Sequence, residues 1–323
     1  MKKTFYILIQ AALLTTGCCN TPADDPLSRT SDMAGWSIDV VAPGCVWYNY
    51  TGFYLPTGAN QTINVLEIDL SHGGYSLSVV HSEEADSLSA FALRADAFAG
   101  INGSYFEPDV SFVKTDGKVR REVTVDKAHT RYWKHEGAFF LDPATGKADI
   151  DYGDNASYLA STYSTVLSGA PMLIADYEPA GETFAANPDS LDLRTLDYED
   201  YRRHQGVRHP RVAIALTEDD RALLITVDGR WWTSSGMTAQ ELTRMLVRHF
   251  NPRCALNLDG GGSTTMLIGN RGVYDTHVVN FPVDNKRYDH YGQRAVNNVV
   301  LVKRNDSVSY THLRAHETRH DLV

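Results

Sequence analysis

Asp259 stands where an apolar strand segment, Ala255-Leu-Asn-Leu258, runs into three glycines and three hydroxyl residues, Gly260-Gly-Gly-Ser-Thr-Thr265. Three successive residues without Cβ let the backbone take positive φ and let a ligand approach the main chain closely. Such a loop can turn several N–H groups toward one anion, and the carboxylate at its edge adds a group able to act as nucleophile, base or electrostatic partner. A tight turn with a capping Asp would share part of this composition, so the companions of the loop matter.

Two other strand ends deliver polar side chains: Asn102 after Gly100-Ile101, and Asp228 with Arg230 after Ile225-Thr-Val227. Sites are commonly built where buried strands stop. Arg211, Arg230 and Arg294 offer planar, bidentate donors suited to phosphate or carboxylate, although an ion pair with one of the many acidic residues is the commoner fate of an arginine. Glu241 is the third carboxylate candidate; its place three residues after Thr238 also fits a purely structural capping role. Trp231 and Trp232 could stack on a sugar ring, with one of the two expected in the core.

The elements that must position these residues can be read from periodicity. Thr62 to Leu70 and Tyr75 to His81 alternate apolar and polar residues around Ser71-His-Gly-Gly74 and read as a hairpin. A helix is expected from about Ser87 to Phe98, then a strand from Ala99 that breaks at Asn102-Gly103. Strands flank the turn signal Asp116-Gly117, and Ser168 to Ile174 reads as one strand returning beneath the site. Arg211 to Leu216 and Ala222 to Val227 form a hairpin, and Thr238 to Phe250 is the clearest helix, with Leu242, Met245, Leu246 and Phe250 in one stripe. Ala295 to Val302 is a last strand. Glu178 to Arg208 is long, polar and without clear structure, which suits a lid or a surface excursion. The pattern predicts an α+β fold: a single mixed, mostly antiparallel twisted-sheet domain with a few flanking helices.

At 323 residues, 43% of them hydrophobic, the chain can bury a substantial core, and its formal net charge of -10 argues against a nucleic-acid partner. Met1-Lys2-Lys3, the apolar run from Phe5 to Leu14 and the small residues before Cys18 read as a signal peptide over residues 1–18. Gly17-Cys18 resembles the lipoprotein type, in which Cys18 would be acylated, although Thr15 stands where Leu is usual. Residues 19–35 then form a flexible tether and residues 36–305 the domain. The protein is expected to be exported and membrane-anchored, periplasmic or at the cell surface, touching the membrane only through its lipid. Residues 306–323 change composition abruptly and read as a non-native tail, so His312, His316 and His320 are discounted as ligands. Cys45 and Cys254 could pair or remain as buried thiols. No Cys/His spacing suggests zinc.

Taken together, Asn102-Gly-Ser-Tyr-Phe106, Pro210-Arg-Val-Ala-Ile214, Val227-Asp-Gly-Arg230, Gly236-Met-Thr-Ala-Gln-Glu-Leu242 and Asn257-Leu-Asp-Gly-Gly-Gly-Ser-Thr-Thr-Met266 resemble the motifs of the phosphodiester glycosidase family, in order and spacing, over about Asn64 to Lys303. Ser104, Val212 and Thr264 depart from the residues usual in that family. The resemblance implies hydrolysis of a glycosyl phosphodiester at the sugar C1–O bond, with a phosphorylated glycan or sugar phosphodiester, N-acetylglucosamine among its sugars, as substrate. On that reading Asp259, Asp228 and Glu241 are the catalytic candidates. Arg211, Arg230, Arg294, Gly260, Gly261, Gly262, Ser263 and Thr264 hold the phosphate, and Asn102 binds sugar hydroxyls. No cofactor is expected. A divalent ion, calcium or magnesium, held by Asp228 and Asp259 belongs to an alternative in which the P–O bond is cut, and a non-catalytic glycan-binding lipoprotein is the other alternative.

Overall fold

A computed structural model describes residues 33–71, 73–181 and 191–305. The expected signal peptide with Cys18, nearly all of the tether and the tail from residue 306 lie outside the described residues. In chain order the strands are β1 (Trp36–Ala42), β2 (Cys45–Tyr54), β3 (Ala59–Asp69), β4 (Tyr75–Asp86), β5 (Ala99–Asn102), β6 (Val113–Thr115), β7 (Lys118–Arg121) and β8 (Gly137–Asp142). They continue as β9 (Lys147–Tyr152), β10 (Thr165–Gly169), β11 (Met172–Ile174), β12 (Arg211–Leu216), β13 (Arg221–Val227), β14 (Cys254–Asn257), β15 (Met266–Ile268) and β16 (Val296–Arg304). Among the described residues the α-helices are α1 (Leu88–Ala95), α2 (Asn155–Ala160), α3 (Tyr201–Gly206) and α4 (Ala239–His249).

The strands pair antiparallel, as expected, but in three sheets and not in a single one. A seven-stranded sheet runs β1-β2-β3-β13-β12-β14-β11, a five-stranded sheet β7-β6-β10-β8-β9, and a four-stranded sheet β15-β5-β16-β4. The hairpin expected over residues 62–81 is therefore corrected: β3 pairs with β2 and β13, whereas β4 pairs with β16. Likewise residues 168–174 supply two strands, because the chain leaves β10 at Gly169 and enters β11 at Met172, in different sheets. Alternation reports which face of a strand is buried and is silent on which strand lies beside it.

What joins the sheets is one core. Leu66, Ile214, Leu224 and Leu256 of the first sheet, Phe139, Leu141 and Leu167 of the second, and Leu77, Ile101 and Val300 of the third belong to a single buried cluster. Burying each such side chain contributes about 1.5–3 kcal/mol. All six residues of β12 are buried, so this strand is covered on both faces and reads as a continuous apolar run. Helix α4 begins at Thr238 with a reciprocal capping box to Glu241 and buries Leu242, Met245 and Leu246. Cys45 and Cys254 are buried free thiols.

Candidate active site

The ends of β5, β13 and β14 come together, and the polar residues at each end hold the others in place. Asn102, at the end of β5, donates from Nδ2 to the backbone oxygen of Asp259 at 2.7 Å and accepts at Oδ1 from the Thr265 N–H at 3.0 Å. Its amide is thus committed to both sides of the glycine loop. Asn257, the last residue of β14, donates to Ala170 O and Leu258 O. Asn280 forms a crossbar: Nδ2 donates to Asp228 Oδ1 at 2.8 Å and to Thr264 O at 3.0 Å, while Oδ1 accepts from Met266 N. Asp228 is thereby tied through this one side chain to Thr264 and Met266, which follow the glycine loop.

The glycines are required by their neighbours. A Cβ on Gly260 would lie 2.4 Å from Pro210 O, and one on Gly262 only 2.1 Å from Nη2 of Arg294. Gly261 has a φ of 60°, and a Cβ there would meet Nη2 of Arg230 at 3.2 Å. Two guanidinium groups therefore lie against the loop. Its amides are not all free, since Gly261 N donates to Pro210 O, Ser263 N to Gly260 O and Thr264 N to Gly261 O. At most the Gly260 and Gly262 amides are left to face an anion.

The two aspartates differ in their surroundings. Asp228 is buried, and both its oxygens accept hydrogen bonds, from Asn280 and from the Phe281 N–H at 3.0 Å. Burial pushes its carboxyl up to about 6, with those two donors opposing the rise. Asp259 is half-buried, but its Oδ2 is enclosed and has no hydrogen-bond donor. Burial pushes it up to about 7; a hydrogen bond from Ser263 opposes this, the nearby Glu107 carboxylate adds to it, and Lys134 and Arg294 oppose it.

The arginines divide by partner. Arg230 is exposed, adopts a left-handed φ of 66° and, among the described residues, hydrogen-bonds only to the Tyr198 hydroxyl, at 3.5 Å. A side chain held in that region of φ is uncommon and marks a constrained position. Arg294 is paired with Asp284 at 2.6 Å and touches Ser263 Oγ at 3.4 Å. Arg211 is fully buried and donates to the backbone oxygens of Met237, His204 and Val207, so its hydrogen bonds brace the site from beneath. Burial and the cations Arg211, Arg230 and Arg203 press His209 down to about 3, leaving its ring neutral.

Glu241 is not drawn to the glycine loop by any of its contacts. Both its oxygens engage Arg208, and Oε2 also accepts from Thr238 N. Trp231 is half-buried and packs edge-on to Tyr288 at 5.6 Å, whereas Trp232 is 82% exposed. Sequence reasoning missed Glu107, Lys134 and Asn280. Glu107 directly follows the Asn102–Phe106 motif and could have been found there; Lys134 and Asn280 sit in segments without a pattern. Among the described residues no group of three or more His, Cys, Asp or Glu side chains is assembled as a metal-ligand set.

Residues 95–303 match the model of a protein family described as phosphodiester glycosidase. This chain belongs to the phosphodiester glycosidase family. The match includes every element of the site above, from β5 to β16. Solved structures share the fold. The catalytic domain of zebrafish N-acetylglucosamine-1-phosphodiester alpha-N-acetylglucosaminidase, auto-inhibited by its pro-peptide, aligns with a TM-score of 0.61 at 17% identity, over 82% of this chain and 85% of that one. A hypothetical protein from Synechocystis aligns with a TM-score of 0.52 at 13% identity, over 84% of this chain and 64% of that one. At such identities the likeness is one of fold. The SPbeta prophage-derived uncharacterized protein YomE of Bacillus subtilis (strain 168) is 35% identical over 92 residues, which span 24% of this chain and 14% of that protein.

Proposed function

We propose that this protein hydrolyses a glycosyl phosphodiester at the sugar C1–O bond, releasing a free sugar, with N-acetylglucosamine the first to test, and leaving a phosphomonoester. The observation that carries this reading is the pairing of an anion-ready loop with an unpaired cation: Gly260 to Gly262 are flanked by Arg230, which has no carboxylate partner among the described residues, and edged by Asp259. A phosphodiester brings one negative charge, and Arg230 supplies one positive charge to meet it. The Gly260 and Gly262 amides, Ser263 and Arg294 complete the hold on the phosphate, while Asn102 and Arg211 keep the frame.

The leaving group sets the demand on the carboxylates. A phosphate with a second pKa of about 6 departs with little proton donation, so the proton to be handled is that of the attacking water. As the water oxygen bonds to C1, the C1–O bond breaks and its electron pair leaves with the phosphate; the water's proton passes to Asp259. Asp228, held by two hydrogen-bond donors, stays ionised and stabilises the positive charge that develops on the sugar ring. The protein would act outside the cytoplasm, anchored through Cys18, a placement supported by the N-terminal sequence.

Hydrolysis in oxygen-18 water tests the reaction. The label is expected in the sugar; label in the phosphate would mean P–O cleavage, and binding without turnover would mean a glycan binder. Asp259→Asn and Asp228→Asn are each expected to abolish turnover, and full activity in both would sink the assignment.

A further inference from the structure

The polar segment that precedes β12 returns to the glycine loop through one aromatic ring. Tyr198 holds its hydroxyl 3.5 Å from Nη2 of Arg230, the guanidinium that lies against Gly261. Over the face of the same ring, 5.5 Å from its centroid, sits Cζ of Arg203, and His209 stands edge-on to it at 6.3 Å. Tyr198 is 55% exposed and Arg230 is exposed, so the cluster is open to a solute beside the phosphate site.

The acids of this segment have other partners. Asp192 accepts from the Arg194 N–H and Asp197 from the Glu199 N–H, while Asp200 takes Arg202 with both oxygens. Glu199 is shared between Arg131 and Lys134. Arg203 donates from Nη1 to the backbone oxygen of Leu196 at 2.6 Å, and its Nε is enclosed with no acceptor. Arg211 gives its donors to backbone oxygens, and Glu241, the carboxylate that acts on it across the cluster, is held by Arg208. The oxygens of Asp228 are occupied by Asn280 and Phe281, and Asp259 is bonded to Ser263. Among the described residues, Arg203, Arg211 and Arg230 thus act together on His209 with no carboxylate bonded to any of them.

A phosphodiester brings one negative charge, and Arg230 meets it. Arg203 is then a second guanidinium without a carboxylate, set on an aromatic face that also touches the first; phosphate and carboxylate are the groups that such a donor fits. We infer that Tyr198 and Arg203 form a second anion subsite, and that the group esterified to the phosphate, on the side away from the sugar, carries a further phosphate or carboxylate. That side is assigned because C1 of the sugar must face Asp228 and Asp259. Tyr198 is the spacer, holding the Arg203 and Arg230 guanidiniums in one arrangement. The inference rests on the hydrolase reading for which ester oxygen bears the second anion, but not for the subsite itself.

Three N-acetylglucosamine 1-phosphodiesters test it. The propyl ester carries one charge; the 2-carboxyethyl ester and the propyl diphosphate carry two, and tell a carboxylate from a phosphate. Wild type is expected to favour at least one dianion over the propyl ester by about tenfold in kcat/KM, the scale of one hydrogen bond to a charged group, and the preference should shrink as salt is raised. Arg203→Gln is expected to bring the ratio near one, and Arg203→Lys to keep part of it. Taking the ratio within each variant removes differences in intrinsic reactivity between the compounds. A ratio near one in wild type, or the same ratio in wild type and Arg203→Gln, overturns the inference; if Arg203→Gln does not fold, the wild-type ratio and the Arg203→Lys variant decide. Calorimetry with the same compounds separates the subsite from the reaction. If none is hydrolysed but the dianions bind more tightly and lose that advantage in Arg203→Gln, the hydrolase reading fails and the subsite stands; hydrolysis blind to the second charge leaves the reading and sinks the subsite.

Discussion

Asp259 carries its charge against the interest of the fold. Its folded value of about 7 lies above the roughly 3.9 of an unfolded Asp, so between about pH 4 and 7 the native state binds more protons than the unfolded chain. Stability from this group is full below that window and is lost as pH rises through it. Asp228, pushed up to about 6 by burial, acts in the same sense over a narrower range. Asp259→Asn should therefore melt several degrees higher than wild type at pH 8 and at nearly the same temperature at pH 4, as followed by circular dichroism. A variant less stable at pH 8 would show that the carboxylate is satisfied in a way the enclosed Oδ2 does not suggest. Both aspartates were legible in the sequence because each ends an apolar strand. Glu107 and Lys134 were not: they pair with each other across segments distant in sequence, and periodicity does not report that.

At the scale of elements, α4 shows how one carboxylate can look catalytic and be structural. Glu241 closes the capping box on Thr238 and holds Arg208 with both oxygens. Gln at this position preserves a capping box and loses only a partly exposed ion pair, a loss of about 0–1 kcal/mol. Glu241→Gln is accordingly expected to keep kcat/KM within about twofold of wild type, and a loss of a hundredfold or more would return Glu241 to the catalytic set. The helix itself, the Asp116-Gly117 turn and the β12–β13 hairpin were readable because their signals are local. The partition into three sheets was not, since β3 and β4 are separated by a turn-like segment and yet enter different sheets. A short glycine-containing link is compatible with either outcome, and only the tertiary pairing decides between them.

At the scale of the whole molecule, the three sheets share a core, and the ends that form the site come from two of them: β5 from the four-stranded sheet, β13 and β14 from the seven-stranded one. Asn102 and Asn280 then fasten these ends across the gap. No single hairpin contains the working parts, so no local opening can be expected to leave a fragment of activity behind. In a denaturant titration the loss of turnover and the loss of β-sheet circular dichroism should share one midpoint; activity that disappears at distinctly lower denaturant would mean that the site opens separately. Catalysis on this scaffold would then serve as a gauge of the entire fold, and a substitution that loosens the sheets anywhere would show itself at the sugar–phosphate bond.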